Sequence, residues 1–142
     1  MSASAPDPRF FSLPEARRTL PLVRRIVADI VAAWPPLQAR LRTLHERTRE
    51  RAGDDAEMAA LRGEVEREAE VVNGYLDELR SIGCLFKGFE EGLVDWYARW
   101  DGRTIQLCWK HDEDDISWWH EVETGFAGRR PLTAEMEDAL SR

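Results

Sequence analysis

Leu93-Val94-Asp95-Trp96-Tyr97-Ala98-Arg99-Trp100, then Asp101-Gly102, then Arg103-Thr104-Ile105-Gln106-Leu107-Cys108-Trp109-Lys110 is the stretch that decides the fold. Two runs that alternate between faces flank an Asp-Gly dipeptide. Asp and Gly both tolerate the left-handed backbone that a two-residue turn demands, so the stretch reads as a β-hairpin. A loop of that length also sets the register. Val94 then opposes Trp109, Trp96 opposes Leu107 and Ala98 opposes Ile105, which makes one apolar face. The other face carries Asp95 opposite Cys108, Tyr97 opposite Gln106 and Arg99 opposite Thr104. An apolar face of this kind needs a cover. Cys84-Leu85-Phe86 reads as a third strand. Ile116 to Val122 reads as a further strand, with a short helix capped by Asp114 or Asp115 as the alternative.

The cover lies upstream. Phe11-Ser12-Leu13-Pro14-Glu15 has the marks of a helix start: a serine cap, a glutamate three residues on, and a proline in the first turn. Ala16, Leu20, Val23, Val27, Ile30, Trp34, Leu37, Leu41 and Leu44 then follow at steps of four and three, the spacing of a coiled-coil seam. Pro35-Pro36 interrupts the amide ladder, which predicts a kink or a break near Trp34. Gly53-Asp54-Asp55 reads as a turn and a new cap. Leu61, Val65, Ala69, Val72, Leu76 and Leu79 form a second seam, and Gly83 is placed to end it in a left-handed cap. Two long helices joined by a short turn make an antiparallel hairpin. The expected fold is therefore α+β: a long antiparallel helical hairpin over residues 12–82 and a small antiparallel β-sheet within a β-rich region, 84–132. The whole chain reads as one domain, with residues 1–10 a flexible tail.

Charge supports the pairing of the two helices. The 142-residue chain carries a net charge of −7. Met1 to Gly53 holds ten arginines and five acids, whereas Asp54 to Ile82 holds nine acids and three arginines. Basic and acidic helices lying side by side account for this split. An acidic chain repels phosphate, so nucleic acid is not an expected partner. No apolar run has the length of a membrane span and the N-terminus lacks the pattern of a secretory signal, so a cytoplasmic location is expected. Cys84 and Cys108 show no zinc-finger spacing and read as two buried free thiols in a reducing compartment. A seam of large apolar residues on the first helix, bent by prolines, suggests more apolar surface than one partner helix covers. A homodimer is the expected assembly.

The chain resembles an uncharacterised bacterial family, the domain of unknown function 2203. The residues that carry the resemblance are Phe11-Ser12-Leu13-Pro14-Glu15-Ala16 with Leu20-Pro21, Gly92-Leu93-Val94-Asp95, Leu107-Cys108-Trp109, Trp119-His120-Glu121, and Gly125-Phe126-Ala127-Gly128-Arg129-Arg130-Pro131-Leu132. Proteins of that family usually have Phe at the position of Trp96, Asp at that of Gly88 and Gly at that of Asp112. The resemblance implies a shared C-terminal block and no particular activity.

That block holds the candidate site. Imidazole and carboxylate bind divalent metals or share a proton, which singles out His120 with Glu121. Neighbours on a strand point to opposite faces, so only one of the two lines a given cavity. With His120 inward, Asp95 is its natural partner, with Glu113, Glu123 or an acid of the second helix as alternatives. Arg129 and Arg130 beside the glycines offer an anion grip, or else an ion pair tying the loop to the hairpin. Five tryptophans fall between Trp96 and Trp119; most belong to the core, and Trp119 is a candidate wall of a ligand pocket. The ligand-binding set is Asp95, Trp119, His120, Glu121 and Arg129. The metal set, for a divalent ion, is His120, Asp95 and Glu121. The functional expectation is a ligand- or metal-binding or interaction module. A small metal-dependent enzyme using the same residues is the alternative, and a structural adaptor acting through the helices is the third.

Overall fold

The computed structural model describes residues 8–51 and 53–142. Most of the expected N-terminal tail, residues 1–7, lies outside them. Arg9 and Phe10 already make contacts: Arg9 donates to the Ile82 carbonyl at 3.0 Å and Phe10 bridges to Tyr97.

The first helix, α1, spans Leu13–Glu50, and its capping box is complete. Ser12 Oγ accepts from the Glu15 amide, and the Glu15 carboxylate accepts from the Ser12 amide. The Ser12 amide donating to the carboxylate, helped by the Ser12 hydroxyl, holds the Glu15 carboxyl below its ordinary pKa. The helix does not break at Trp34. It runs on through Pro35-Pro36, so of the expected kink or break the break does not occur. Both prolines are on the exposed side, where carbonyls that lose an amide partner are reached by water. Trp34 keeps the phase of the seam and stacks on Phe89 with ring centroids 4.3 Å apart. The second helix, α2, spans Asp55–Ile82 between the Asp54 cap and a left-handed Gly83. Arg40 joins the two helices through ion pairs with Glu64, at 3.1 Å, and Glu68.

Five strands follow in a simple meander: β1 (Leu85–Gly88), β2 (Leu93–Trp100), β3 (Arg103–Lys110), β4 (Trp118–Glu121) and β5 (Arg130–Pro131), all antiparallel and neighbours in that order. The β2–β3 register is the one the turn dictates, with Asp95 opposite Cys108. Asp101 and Gly102 both have positive φ, 54° and 74°, as a type I′ turn requires. A final helix, α3 (Ala134–Leu140), was not foreseen. Its signal is Thr133, whose hydroxyl accepts from the Met136 amide, and it buries Met136 and Leu140.

The core lies where the first half of α1 crosses the sheet. Leu13, Ala16, Leu20, Val23, Ile26, Val27 and Ile30 meet Val94, Trp96, Ala98, Ile105, Leu107 and Trp109, all buried. Trp96 Nε1 donates to Thr19 Oγ1 at 3.0 Å, so the largest core side chain leaves no polar atom unpaired. Beyond the sheet, Leu37, Val65 and Val72 form a second cluster inside the helical hairpin. Leu22, Leu41 and Val71 stay exposed. The helices thus cover one sheet face and leave the Asp95 face free for something else.

Two glycines with positive φ test this packing. A Cβ at Gly92 (φ 64°) would lie 2.7 Å from His111 Cβ and 2.8 Å from Val27 Cγ1, whereas one at Gly102 (φ 74°) meets nothing within 4 Å. Both substitutions strain the backbone, and only the first overpacks the core. Gly102→Ala should cost about 1 kcal/mol, and Gly92→Ala about 3 kcal/mol or more, read from urea midpoints at unchanged m.

Candidate metal centre

On the face turned away from the helices, Asp95 of β2, Cys108 of β3 and His120 of β4 come together. Strand pairing explains why. Asp95 sits directly opposite Cys108, and His120 sits opposite Gln106, two positions along β3 on the same face. All three are buried, at 3%, 1% and 1% exposure. One ligand atom from each, a carboxylate oxygen, Sγ and an imidazole nitrogen, lies within 4.8 Å of the other two.

The imidazole is oriented by its own strand. Nδ1 lies 2.7 Å from the Glu121 carbonyl oxygen. A carbonyl only accepts, so Nδ1 carries the proton and Nε2 is left to face the cluster. Nε2 is 3.2 Å from Asp95 Oδ2. The approach is too poorly aligned to count as a hydrogen bond, and Nε2 is a buried nitrogen without a hydrogen-bond partner. Burial pulls the His120 pKa down, but the Asp95 carboxylate and the Glu121 carbonyl outweigh it and leave it raised, against a small opposing pull from Lys87. Burial, reinforced by Asp95 and opposed by Arg129, pushes the Cys108 thiol up to about 12. A thiol held protonated is the reverse of an activated nucleophile.

The cluster forms one wall of a cavity of about 190 Å³, whose other lining residues are Lys87, Leu93, Gln106, Val122, Gly125 and Phe126. Phe126 belongs to a 3-10 turn, Phe126–Gly128. Arg129 holds that turn in place: its guanidinium lies 4.4 Å from the Trp118 ring centroid and 5.0 Å from that of Phe126. The charge of Arg129 is met by Glu113, with Nη2 and Oε2 2.6 Å apart. Glu113 in turn accepts from the Lys110 amide, so the ion pair anchors the C-terminal loop to the end of the hairpin.

The five expected site residues therefore divide. Asp95 and His120 are brought together. Glu121 contributes its backbone carbonyl to the His120 ring, while its carboxylate turns away to Arg103, 2.8 Å distant. Trp119 also faces away, into the helix-covered core beside Trp100. Arg129 stands behind the cavity wall rather than in the cavity. Cys108, Lys87 and Phe126 were missed as site residues. The meeting of His120 with Asp95 was expected from the sequence, and so was the pairing of Asp95 with Cys108; that Cys108 joins the two as a third donor was not.

Fold and site together define a small α+β protein: a helical hairpin on one face of an antiparallel meander and a buried Asp-Cys-His cluster on the other. The chain belongs to the family described as an uncharacterized conserved protein, DUF2203, whose family model matches residues 9–132. No curated protein and no solved structure matches it. Among the described residues, no helix is long and apolar enough to cross a membrane.

Both cysteines are free and buried, and burial also raises the Cys84 thiol to about 12. Neither should react with iodoacetamide at pH 8 in the folded, metal-free protein, and both should react once it is denatured. Peptide mass spectrometry checks this, and rapid native labelling of Cys108 would contradict its burial.

Proposed function

We propose that the protein binds a divalent transition metal through Asp95, Cys108 and His120, with zinc the ion that suits the donors best. The observation that carries the reading is His120 Nε2, buried, without a hydrogen-bond partner and turned toward a carboxylate and a thiol while Nδ1 is tied to a carbonyl. A backbone carbonyl on the far nitrogen is the usual outer partner of a metal-bound histidine. Donor chemistry agrees: thiolate, imidazole and carboxylate together suit zinc and its borderline neighbours, not calcium or magnesium. So does spacing. Bond lengths of about 2.0–2.3 Å in a tetrahedron place donor atoms about 3.3–3.7 Å apart. Nε2 and Oδ2 are already at 3.2 Å, and the set of three fits within 4.8 Å. A bound cation also removes the obstacle at Cys108, because a coordinating thiol gives up its proton.

Three protein donors leave one tetrahedral position open, and the cavity lies beside the cluster. Open positions of this kind belong to sites where a metal meets a small molecule, in contrast to four-donor structural sites. Asp95, Cys108 and His120 also fall in three of the sequence blocks that carry the family resemblance. A thiol donor is best preserved in a reducing cytoplasm, which is where we place the protein.

Protein purified without a histidine tag should contain about one zinc per chain or take it up on addition. At a free zinc concentration of 100 Kd, binding adds about 2.7 kcal/mol to stability, seen as a rise of several degrees in the unfolding midpoint. Cobalt should give the charge-transfer absorption of a thiolate–metal bond. Cys108→Ser should abolish that band, and Asp95→Asn, which keeps the shape and removes a buried charge, should weaken zinc binding at least about tenfold. A wild-type protein indifferent to zinc, or a Cys108→Ser protein with the band intact, sinks the proposal.

A further inference from the structure

Lys87 is the feature of this cavity that metal binding leaves unexplained. It sits in the irregular stretch between Phe86 and Gly88 where β1 loses register with β2, and it lines the same cavity as the three proposed donors. The ion pairs among the described residues do not include it. Arg129, the other cation near the cluster, is neutralised by Glu113. Apolar side chains share the cavity lining with Lys87. Val122 and Phe126 are 44% and 38% exposed, two of the few large apolar side chains left in solvent, and both are cavity walls together with Leu93. Exposed apolar groups gathered around a polar floor mark a ligand site rather than a random surface. Phe126 is also held from behind by Arg129 and does not need to be ordered when a ligand arrives.

We infer that the cavity binds a short-chain monocarboxylate, its carboxylate spanning the metal's open position and the Lys87 ammonium, its hydrocarbon tail lying against Leu93, Val122 and Phe126. The inference rests on the metal reading above. Charge selects a monoanion. A divalent ion is balanced by the Asp95 carboxylate and the Cys108 thiolate, which leaves the Lys87 charge for the ligand. Size selects a small one. A cavity of about 190 Å³ lies below the roughly 300–1,000 Å³ of sites that enclose drug-sized ligands. Wall chemistry selects a carboxylate with a tail over an inorganic anion, because phosphate or chloride leaves the three apolar walls uncovered. With a metal held by Asp95, Cys108 and His120, the carboxylate would take the position those three donors leave open, and no bond within the ligand would change.

The test uses the full-length protein loaded with cobalt and titrated with acetate, butyrate and inorganic phosphate, read by the cobalt visible absorption. Butyrate should change the spectrum and bind more tightly than acetate, by about fourfold per added methylene when it is buried. Lys87→Met, loaded with cobalt, should bind butyrate about tenfold more weakly, with Lys87→Arg restoring part of the loss. Cobalt that binds with its thiolate band but ignores butyrate overturns the carboxylate and leaves the metal site standing. Phosphate binding as well as butyrate overturns the tail assignment, and equal butyrate affinities of wild type and Lys87→Met overturn the role of Lys87. Failure of cobalt to bind at all removes the metal reading and this inference together.

Discussion

The pair of left-handed residues at Asp101-Gly102 governs which side of the molecule every hairpin residue belongs to. Side chains alternate along a strand, so a slip of one residue would carry Trp96 and Leu107 to the open face and drive Asp95 and Cys108 under the helices. The I′ turn forbids the slip by joining Trp100 directly to Arg103. Its consequences extend to both faces. On one, Trp96, Trp109 and their neighbours accept the first half of α1; on the other, a carboxylate and a thiol end up side by side. Core and site are therefore not independent: one backbone choice produces both.

The helices depend on that face in turn. A seam at four-and-three spacing is ambiguous between a partner helix and a sheet, and α1 uses it for both. Its first half buries residues against β2 and β3, while Leu37 packs with Val65 and Val72 of α2. Double use explains the behaviour at Pro35-Pro36, which lie at the changeover. The seam continues on the buried side there, with Trp34 stacked on Phe89, so packing keeps the helix continuous while solvent reaches the exposed proline side. Local propensity argued for a break; tertiary packing overrode it.

What could be read from the residues depended on how local the deciding interaction was. The capping box at Ser12, the Gly83 cap, the helical hairpin and the β2–β3 register all rest on contacts within a few residues or across a tight turn, and all were legible. The site was legible only in part. Asp95 opposite Cys108 follows from the turn, but His120 reaches them through β3–β4 pairing, whose connection runs from His111 to Ser117 and carries no turn signature of its own. That connection is set by Glu113, which accepts from the Lys110 amide and grips Arg129, and by Trp109 Nε1 donating to the Glu113 carbonyl at 2.9 Å. The first and last of these are local side-chain choices and the grip on Arg129 reaches across to the C-terminal loop; none of them leaves a periodic pattern in the sequence. Cys108 was accordingly seen as a buried thiol without a role, and Lys87, in an irregular stretch of an edge strand, carried no signal.

The cluster itself breaks the rules that the rest of the molecule obeys. Every other buried position of β2 and β3 except Gln106 is apolar, yet a carboxylate, a thiol and an imidazole are buried together at three adjoining sites. In a metal-free protein this arrangement is costly. A buried charge gains little net from a poorly aligned neighbour, and apolar side chains of similar volume would be as stable or more so. A sequence that is locally consistent through its caps, turns and seams and then departs from consistency at one cluster points to that cluster as the place where stability is traded for function. The sense of the departure is informative as well. The Glu121 carbonyl fixes the imidazole with Nδ1 protonated, and the nitrogen left without a hydrogen-bond partner is the one that faces a carboxylate and a thiol. On the proposed reading, a cation would give all three groups a common partner.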